Sequence, residues 1–209
     1  MKKITSITLI LFLSLLSFPS WSETLTIDDL VKRNDLYYKK FTNVPFTGEV
    51  SGIESGKFKN GIKDGEWLIY YKNGQLMWRS VYKDGKQDSL WEWYYENGQL
   101  LVKENYKDGK LDGVIEMYYE NGQLKRKGNY KDDKREGLFE SYYENGQLDF
   151  KVNYKDGKEV GLWEDYYKDG QLKLKGIYKD GKKDGLWEYS NRDGSLNRTG
   201  TWKDGVKID

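Results

Sequence analysis

Apolar and polar positions alternate along this chain in short runs, and the runs repeat. Within Ser89–Asp112, Trp91, Trp93 and Tyr95 fall on one side of an extended chain, with Glu92 and Tyr94 on the other. After Asn97-Gly98 the alternation resumes over Gln99–Tyr106. Leu100, Val102 and Tyr106 share a side with Glu104, and Lys103 lies opposite. A period of two with one apolar side predicts a strand covered on one face. Asn-Gly between two such runs predicts a type I′ hairpin turn, because both residues accept a positive φ. Asp108-Gly109 predicts the following turn by the same chemistry.

The pattern returns every 24 residues. The glycine of Tyr-Tyr-Glu-Asn-Gly-Gln-Leu and its variants falls at Gly74, Gly98, Gly122, Gly146, Gly170 and Gly194. The leading apolar position is Trp67, Trp91, Ile115, Phe139, Trp163 and Trp187. The returning runs carry Leu76, Trp78, Tyr82, then Leu148, Phe150, Val152, Tyr154, then Leu172, Leu174, Tyr178. Glu92, Glu116, Glu140, Glu164 and Glu188 mark the polar side, with Lys103, Lys127, Lys151 and Lys175 placed to pair across the sheet. Such exposed pairs contribute about 0–1 kcal/mol each. A period of this size marks a repeat architecture, whose small units bury their apolar faces only by stacking. The predicted fold is all-β. Tandem 24-residue β-hairpin repeats form an elongated, twisted antiparallel sheet with a small amino-terminal cap.

Six units run from Gly65 to about Ile208, preceded by a degraded half-unit at Phe58-Lys59-Asn60-Gly61. Asp133 stands where other units have glycine, and Ser89 and Val160 interrupt the Asp-Gly step. Asn191 and Trp202 replace tyrosines in the last unit, as befits a terminal, capping repeat. Three segments follow: a signal peptide over 1–22, a cap region over 23–57 and the repeat array over 58–209. The first has Lys2 and Lys3, an apolar stretch Ile4–Phe18, and small residues at Ser20 and Ser22. That order predicts cleavage after Ser22 and an exported, periplasmic or secreted protein. In the cap region, Thr26–Val31 reads as a short helix with Thr26 as N-cap and Asp29 at its third position. Leu36–Phe41 and Phe46–Val50 read as strands around Thr42-Asn43-Val44-Pro45.

Composition narrows the chemistry. Charged residues make up 33% and aromatics 16%, including 18 Tyr and 8 Trp, so the chain is no disordered segment. Polar-tipped rings in that number suit a half-wet sheet. The formal charge of +1 falls to −1 once Lys2 and Lys3 leave with the signal peptide. An evenly mixed, near-neutral chain gives no electrostatic case for nucleic acid. No His and no Cys occur, which removes Ser-His-Asp and Cys-His nucleophiles and the usual zinc ligands. No phosphate-cradling Gly-Lys-Ser/Thr loop is present, and the Asp-Gly turns lack calcium-loop spacing. The acids recur with the repeat, and no unique cluster interrupts the period within one unit. No catalytic residue, cofactor or metal site is therefore expected, and the protein is read as no enzyme.

One row of rings points away from the packed side. Tyr70, Tyr94, Tyr118, Tyr142 and Tyr166 lie beside the glutamate row and form a candidate binding ladder. Exposed aromatic ladders bind protein partners, peptides or sugar rings; the bland alternative is cross-strand pairing that only stabilises the sheet. The expected partner is another protein, with a cell-wall glycan or a membrane surface as the alternatives.

Tyr178-Lys-Asp-Gly181-Lys182-Lys-Asp-Gly185-Leu-Trp187, closed by Asp193-Gly194, resembles a MORN repeat. The Tyr-Tyr-x-Asn-Gly-Gln-Leu half is similar to the bacterial variant of that motif. The resemblance covers about Phe58 to the carboxyl end, with aspartate where many such units have histidine. A bulky residue also follows Gly185-Leu186, where many have a second glycine. It implies hairpins laid side by side in a curved sheet, and interaction rather than catalysis. Bacterial proteins of this variant class are often labelled antitoxin components, which implies an antitoxin- or immunity-like role. Eukaryotic relatives are associated with membranes and phospholipids.

Overall fold

The computed structural model describes residues 24–209, so the expected signal peptide over 1–22, with cleavage after Ser22, lies outside the described residues. The alternating runs form strands that pair in sequence order, each with its predecessor and successor. The sheet opens with Gly48–Val50 and Glu54–Lys59. Outgoing strands follow at Ile62–Tyr70, Ser89–Tyr94, Gly113–Tyr118, Gly137–Tyr142, Lys158–Tyr166 and Lys182–Ser190. Their return strands are Leu76–Lys83, Leu100–Lys107, Leu124–Lys131, Leu148–Lys155, Leu172–Lys179 and Leu196–Lys203. Val206–Lys207 closes the chain against Leu196–Lys203. Among the described residues no pairing joins this last strand to Gly48–Val50, whose partner is Glu54–Lys59, so the sheet is an open antiparallel meander.

Two turn types alternate, and they correct the expectation for Asn-Gly. Asp108 and Gly109 have φ of +51° and +85° and join Lys107 to Lys110, a two-residue type I′ turn. Tyr119–Gln123 differs. Gly122 alone takes positive φ, at +84°, and its N–H donates to the Tyr119 carbonyl at 2.8 Å. Asn121 stays at negative φ because its side chain has other work. Its Oδ1 accepts the Gln123 N–H at 2.9 Å, an Asx turn, leaving a type I turn followed by a left-handed glycine.

A second correction concerns faces. The register shifts between Trp93 and Tyr94, so Trp93 opposes Val102 while Tyr94 opposes Leu100. Opposed residues share a face, so this bulge moves Leu100 from the side of Val102 to the side of Tyr94. The same shift recurs for Leu76, Leu148 and Leu172. Tyr95 lies beyond the strand, in the turn.

The core is one row of rings lying across the sheet. Trp67, Trp91, Ile115, Phe139 and Trp187 are buried. The tyrosines of Tyr-Lys-Asp-Gly fill the gaps: Tyr82 sits 5.3 Å from Trp91, Tyr154 5.0 Å from Phe139 and Tyr178 5.2 Å from Trp187. Three of the leading rings, Trp67, Phe139 and Trp187, lean over a glycine of the strand before them, while Glu104 takes that place before the smaller Ile115. A Cβ on Gly176 would lie 2.1 Å from the Trp187 ring, and one on Gly128 2.3 Å from Phe139. Where Val152 takes that place, Trp163 is only half-buried and stacks on Phe150 instead, at 4.9 Å and 7°.

Hydrogen bonds tie each hairpin to the next at both ends. The hydroxyls of Tyr71, Tyr95, Tyr119, Tyr143 and Tyr167 donate to the carbonyls of Tyr94, Tyr118, Tyr142, Tyr166 and Ser190, at 2.7–3.0 Å. At the other end the Gly109 N–H donates to Gln87 O at 2.8 Å, and Gly157, Gly181 and Gly205 repeat the contact.

The amino-terminal region differs from expectation in two ways. The helix shrinks to a single 3-10 turn, Ile27–Asp29, because Leu30 already begins a strand. Leu36–Lys39 pairs along its length with Leu30–Arg33, through left-handed Asn34 and Asp35, while its contact across Thr42-Asn43-Val44-Pro45 is limited to the Tyr38–Pro45 bridge and the Phe46 N–H donating to the Tyr37 carbonyl at 2.8 Å. Gly48–Val50 belongs to the main sheet. Leu30, Val50, Phe58 and Trp67 pack together with Tyr37 and Phe46, so this region covers the first ring of the row.

Two glycines separate crowding from backbone strain. Gly176→Ala is expected to cost about 2–3 kcal/mol, because its Cβ overlaps Trp187. Gly185→Ala meets nothing within 4 Å but holds φ at +73°, so about 1 kcal/mol is expected. Urea denaturation of both variants checks the order; equal losses would show that the ring does not need the glycine.

Candidate functional site

The face opposite the ring row is built from one column of alternating acids and bases and one of tyrosines. In register across the strands run Glu92, Lys103, Glu116, Lys127, Glu140, Lys151, Glu164, Lys175 and Glu188, each acid but the last opposite a base on both sides, and Glu188 facing Lys175 and Thr199. Arg79 opens this column beside Glu92. The pairs close at 3.2 Å for Lys127–Glu116 and at 2.7 Å for Lys151–Glu164 and Lys175–Glu188. Burial alone would raise the Glu116 carboxyl, but hydrogen bonds from Lys127 and Tyr118 outweigh it and hold it below its ordinary value.

All five tyrosines of the candidate ladder, Tyr70, Tyr94, Tyr118, Tyr142 and Tyr166, lie on this face and are half-buried. The Tyr94 hydroxyl donates to Glu92 Oε2 at 2.9 Å and Tyr118 to Glu116 Oε2 at 3.1 Å. Tyr70 differs, because Leu68 stands where the other units have glutamate. Burial, then the Glu92 hydrogen bond, pushes Tyr94 up to about 12. Burial followed by the neighbouring glutamate raises Tyr118, Tyr142 and Tyr166 in the same direction. Half-buried phenols held by their hydroxyls make a row of fixed amphipathic contacts. Such rings give up little side-chain entropy on binding. An aliphatic row borders the charge column on the side away from the ladder, with Val114, Leu138, Leu162 and Leu186 all exposed.

The six turn glycines, Gly74, Gly98, Gly122, Gly146, Gly170 and Gly194, all hold positive φ. The sequence reading missed what surrounds them. Asn73, Asn97, Asn121 and Asn145 each donate Nδ2 to a carbonyl of the following unit, at 2.8–3.4 Å. The recurrence of the second tyrosine and the asparagine was the available signal, since a turn alone needs neither ring nor amide. Among the described residues no group of His, Cys, Asp or Glu is arranged to hold a metal, and no helix is long and apolar enough to cross a membrane.

Five consecutive stretches match the MORN repeat variant: 63–84, 87–108, 111–132, 135–156 and 159–180, together just over half of the chain. No curated protein matches it. Among solved structures, the chain is similar to an S. aureus TarM mutant in complex with Fondaparinux, alpha-GlcNAc-glycerol and UDP. That likeness has 9% identity and a TM-score of 0.32, over 51% of this chain and 21% of that one. A second TarM structure matches at 10% identity and a TM-score of 0.30, over 49% and 20%. The chain thus spans about a fifth of the length of these proteins.

The tyrosine shifts set an alkaline limit. A phenol whose folded pKa is raised contributes stability below its ordinary value of 10 and loses it as pH rises through about 12. The folded protein is expected to resist tyrosine ionisation at pH 10 and to unfold between about 10 and 12. Phenolate absorbance followed alongside circular dichroism tests this; free ionisation at pH 10 with the sheet intact would contradict it.

Proposed function

This chain belongs to the MORN repeat variant family, and on that premise we propose that it is an exported, non-enzymatic scaffold that binds another protein, in an immunity- or antitoxin-like role. The observation that carries this reading is the periodic face, where a tyrosine fixed by a glutamate and flanked by lysine recurs from unit to unit. A partner laid across several units meets the same contact repeatedly, which suits an extended protein surface better than a small substrate. The leader-like first 22 residues support export, and the absence of any His or Cys in the sequence supports a role without catalysis. The near-neutral, alternating charge gives a specific register to a protein partner. It offers no excess of base to an anionic lipid surface.

Tagged full-length protein captured after gentle crosslinking of whole cells is expected to bring down one dominant protein at fixed ratio. Replacing Tyr118 and Tyr142 together by Ser is expected to cut its recovery about tenfold or more, with the fold retained by circular dichroism. Recovery of wall fragments or lipid alone would overturn the reading in favour of an envelope-binding module.

A further inference from the structure

One stretch of the ring-bearing face departs from the repeat. The column occupied by Trp78, Val102, Phe150 and Leu174 holds Arg126 in the third unit. Its register partners are Met117 on one side and Ser141 on the other, and its Nε is buried with no hydrogen-bond partner. Arg135 lies over the rings of Phe139 and Tyr154, 5.2 and 5.0 Å from their centroids. Its Nε and Nη1 reach the hydroxyls of Tyr130 and Tyr154 at 3.4 and 2.9 Å. Tyr154 in turn donates to Glu159 at 3.2 Å. Among the described residues neither guanidinium forms an ion pair with a carboxylate, in contrast to the paired cations of the opposite face.

Between these groups opens a cavity of about 240 Å³, walled by Phe139, Phe150, Tyr154, Trp163 and Glu140 as well as the two arginines, so its one acid is set against two guanidinium groups. That is smaller than the roughly 300 Å³ at which pockets begin to hold drug-sized ligands, so it fits a group the size of a side chain. We propose that this cavity binds a carboxylate, with its oxygens between Arg126 Nε and the Arg135 guanidinium and its carbon body against Trp163 and Phe150. The unmet donor of Arg126 supplies the need, and guanidinium groups match carboxylate oxygens in geometry. The nearby Glu159 disfavours a doubly charged phosphate. The carboxylate is carried either by an Asp or Glu of a bound protein or by a free small acid.

Titration of the full-length protein decides this whether or not a protein partner is ever captured. The probes are benzoate, inorganic phosphate, and an alanine pentapeptide with a central Glu beside its Gln counterpart, each followed at the Trp163 indole N–H by NMR. A saturable shift with benzoate or with the Glu peptide is expected, and none with the Gln peptide. Benzoate alone assigns a free acid, and the peptide alone assigns a protein side chain. Arg126→Gln is expected to weaken binding about tenfold or more, while Arg192→Gln, at an exposed turn outside the cavity, leaves it unchanged. Arg135→Gln gives the same reading where Arg126→Gln does not fold. No saturation with either carboxylate, unchanged affinity in both variants, or tighter binding of phosphate overturns the proposal.

Discussion

Everything in this sheet depends on an aromatic ring being able to lie over the return strand of the hairpin before it. A lone hairpin is marginal in water, and a single layer of strands has no second layer to bury against. Here the missing layer is made from side chains laid flat along the sheet. Trp187 rests where Gly176 has no Cβ, and Phe139 rests over Gly128. The Tyr hydroxyl bonds to the following unit lock the same neighbours from the other end. Stability is therefore a sum over adjacent pairs, with no contact that spans the array. The amino-terminal Leu30, Val50 and Phe46 then act as the neighbour that the first ring lacks.

The directionality of these contacts shapes the two faces differently. One face is consumed by the rings and their spacer residues. The other inherits whatever the alternation leaves over, which is a charge column, a tyrosine column and an exposed aliphatic row. The first face is specified by packing, so its departures are informative. Arg126, Ser141 and Asp165 replace apolar residues of neighbouring units. Ser141 finds Asp149 at 3.3 Å, and Asp165 finds Lys173 at 3.3 Å although burial raises its carboxyl. Arg126 alone of the three keeps a buried donor without an acceptor.

Much of this was legible in the sequence because the period and the alternation are physical constraints written directly into residue order. The column from Trp67 to Trp187, buried except at Trp163, the facing Glu and Lys rows and the tyrosine row all follow from strand parity. What escaped was local. Asn-Gly and Asp-Gly look alike, yet Asn121 spends its side chain on Gln123 and on the next unit, and so takes a different turn. A single bulge reversed the side assigned to Leu100, since parity counting assumes an unbroken ladder. The strand partner of Leu36–Lys39 was missed because Asn34-Asp35, both left-handed, form a turn without any glycine. The Arg126 cavity was invisible because its residues come from three units and are brought together only by stacking.

The Tyr hydroxyl that reaches a carbonyl 23 positions ahead has a consequence for chain length. Each unit is at once donor to its successor and acceptor from its predecessor, through the same atoms. Excising or inserting a whole 24-residue block reconnects a hydroxyl to an equivalent carbonyl and a ring to an equivalent spacer. Any other increment leaves the hydroxyl and the ring without equivalent partners, and an odd one also turns one face into the other. The length of such an array is thus quantised, and it grows or shrinks in whole steps or not at all.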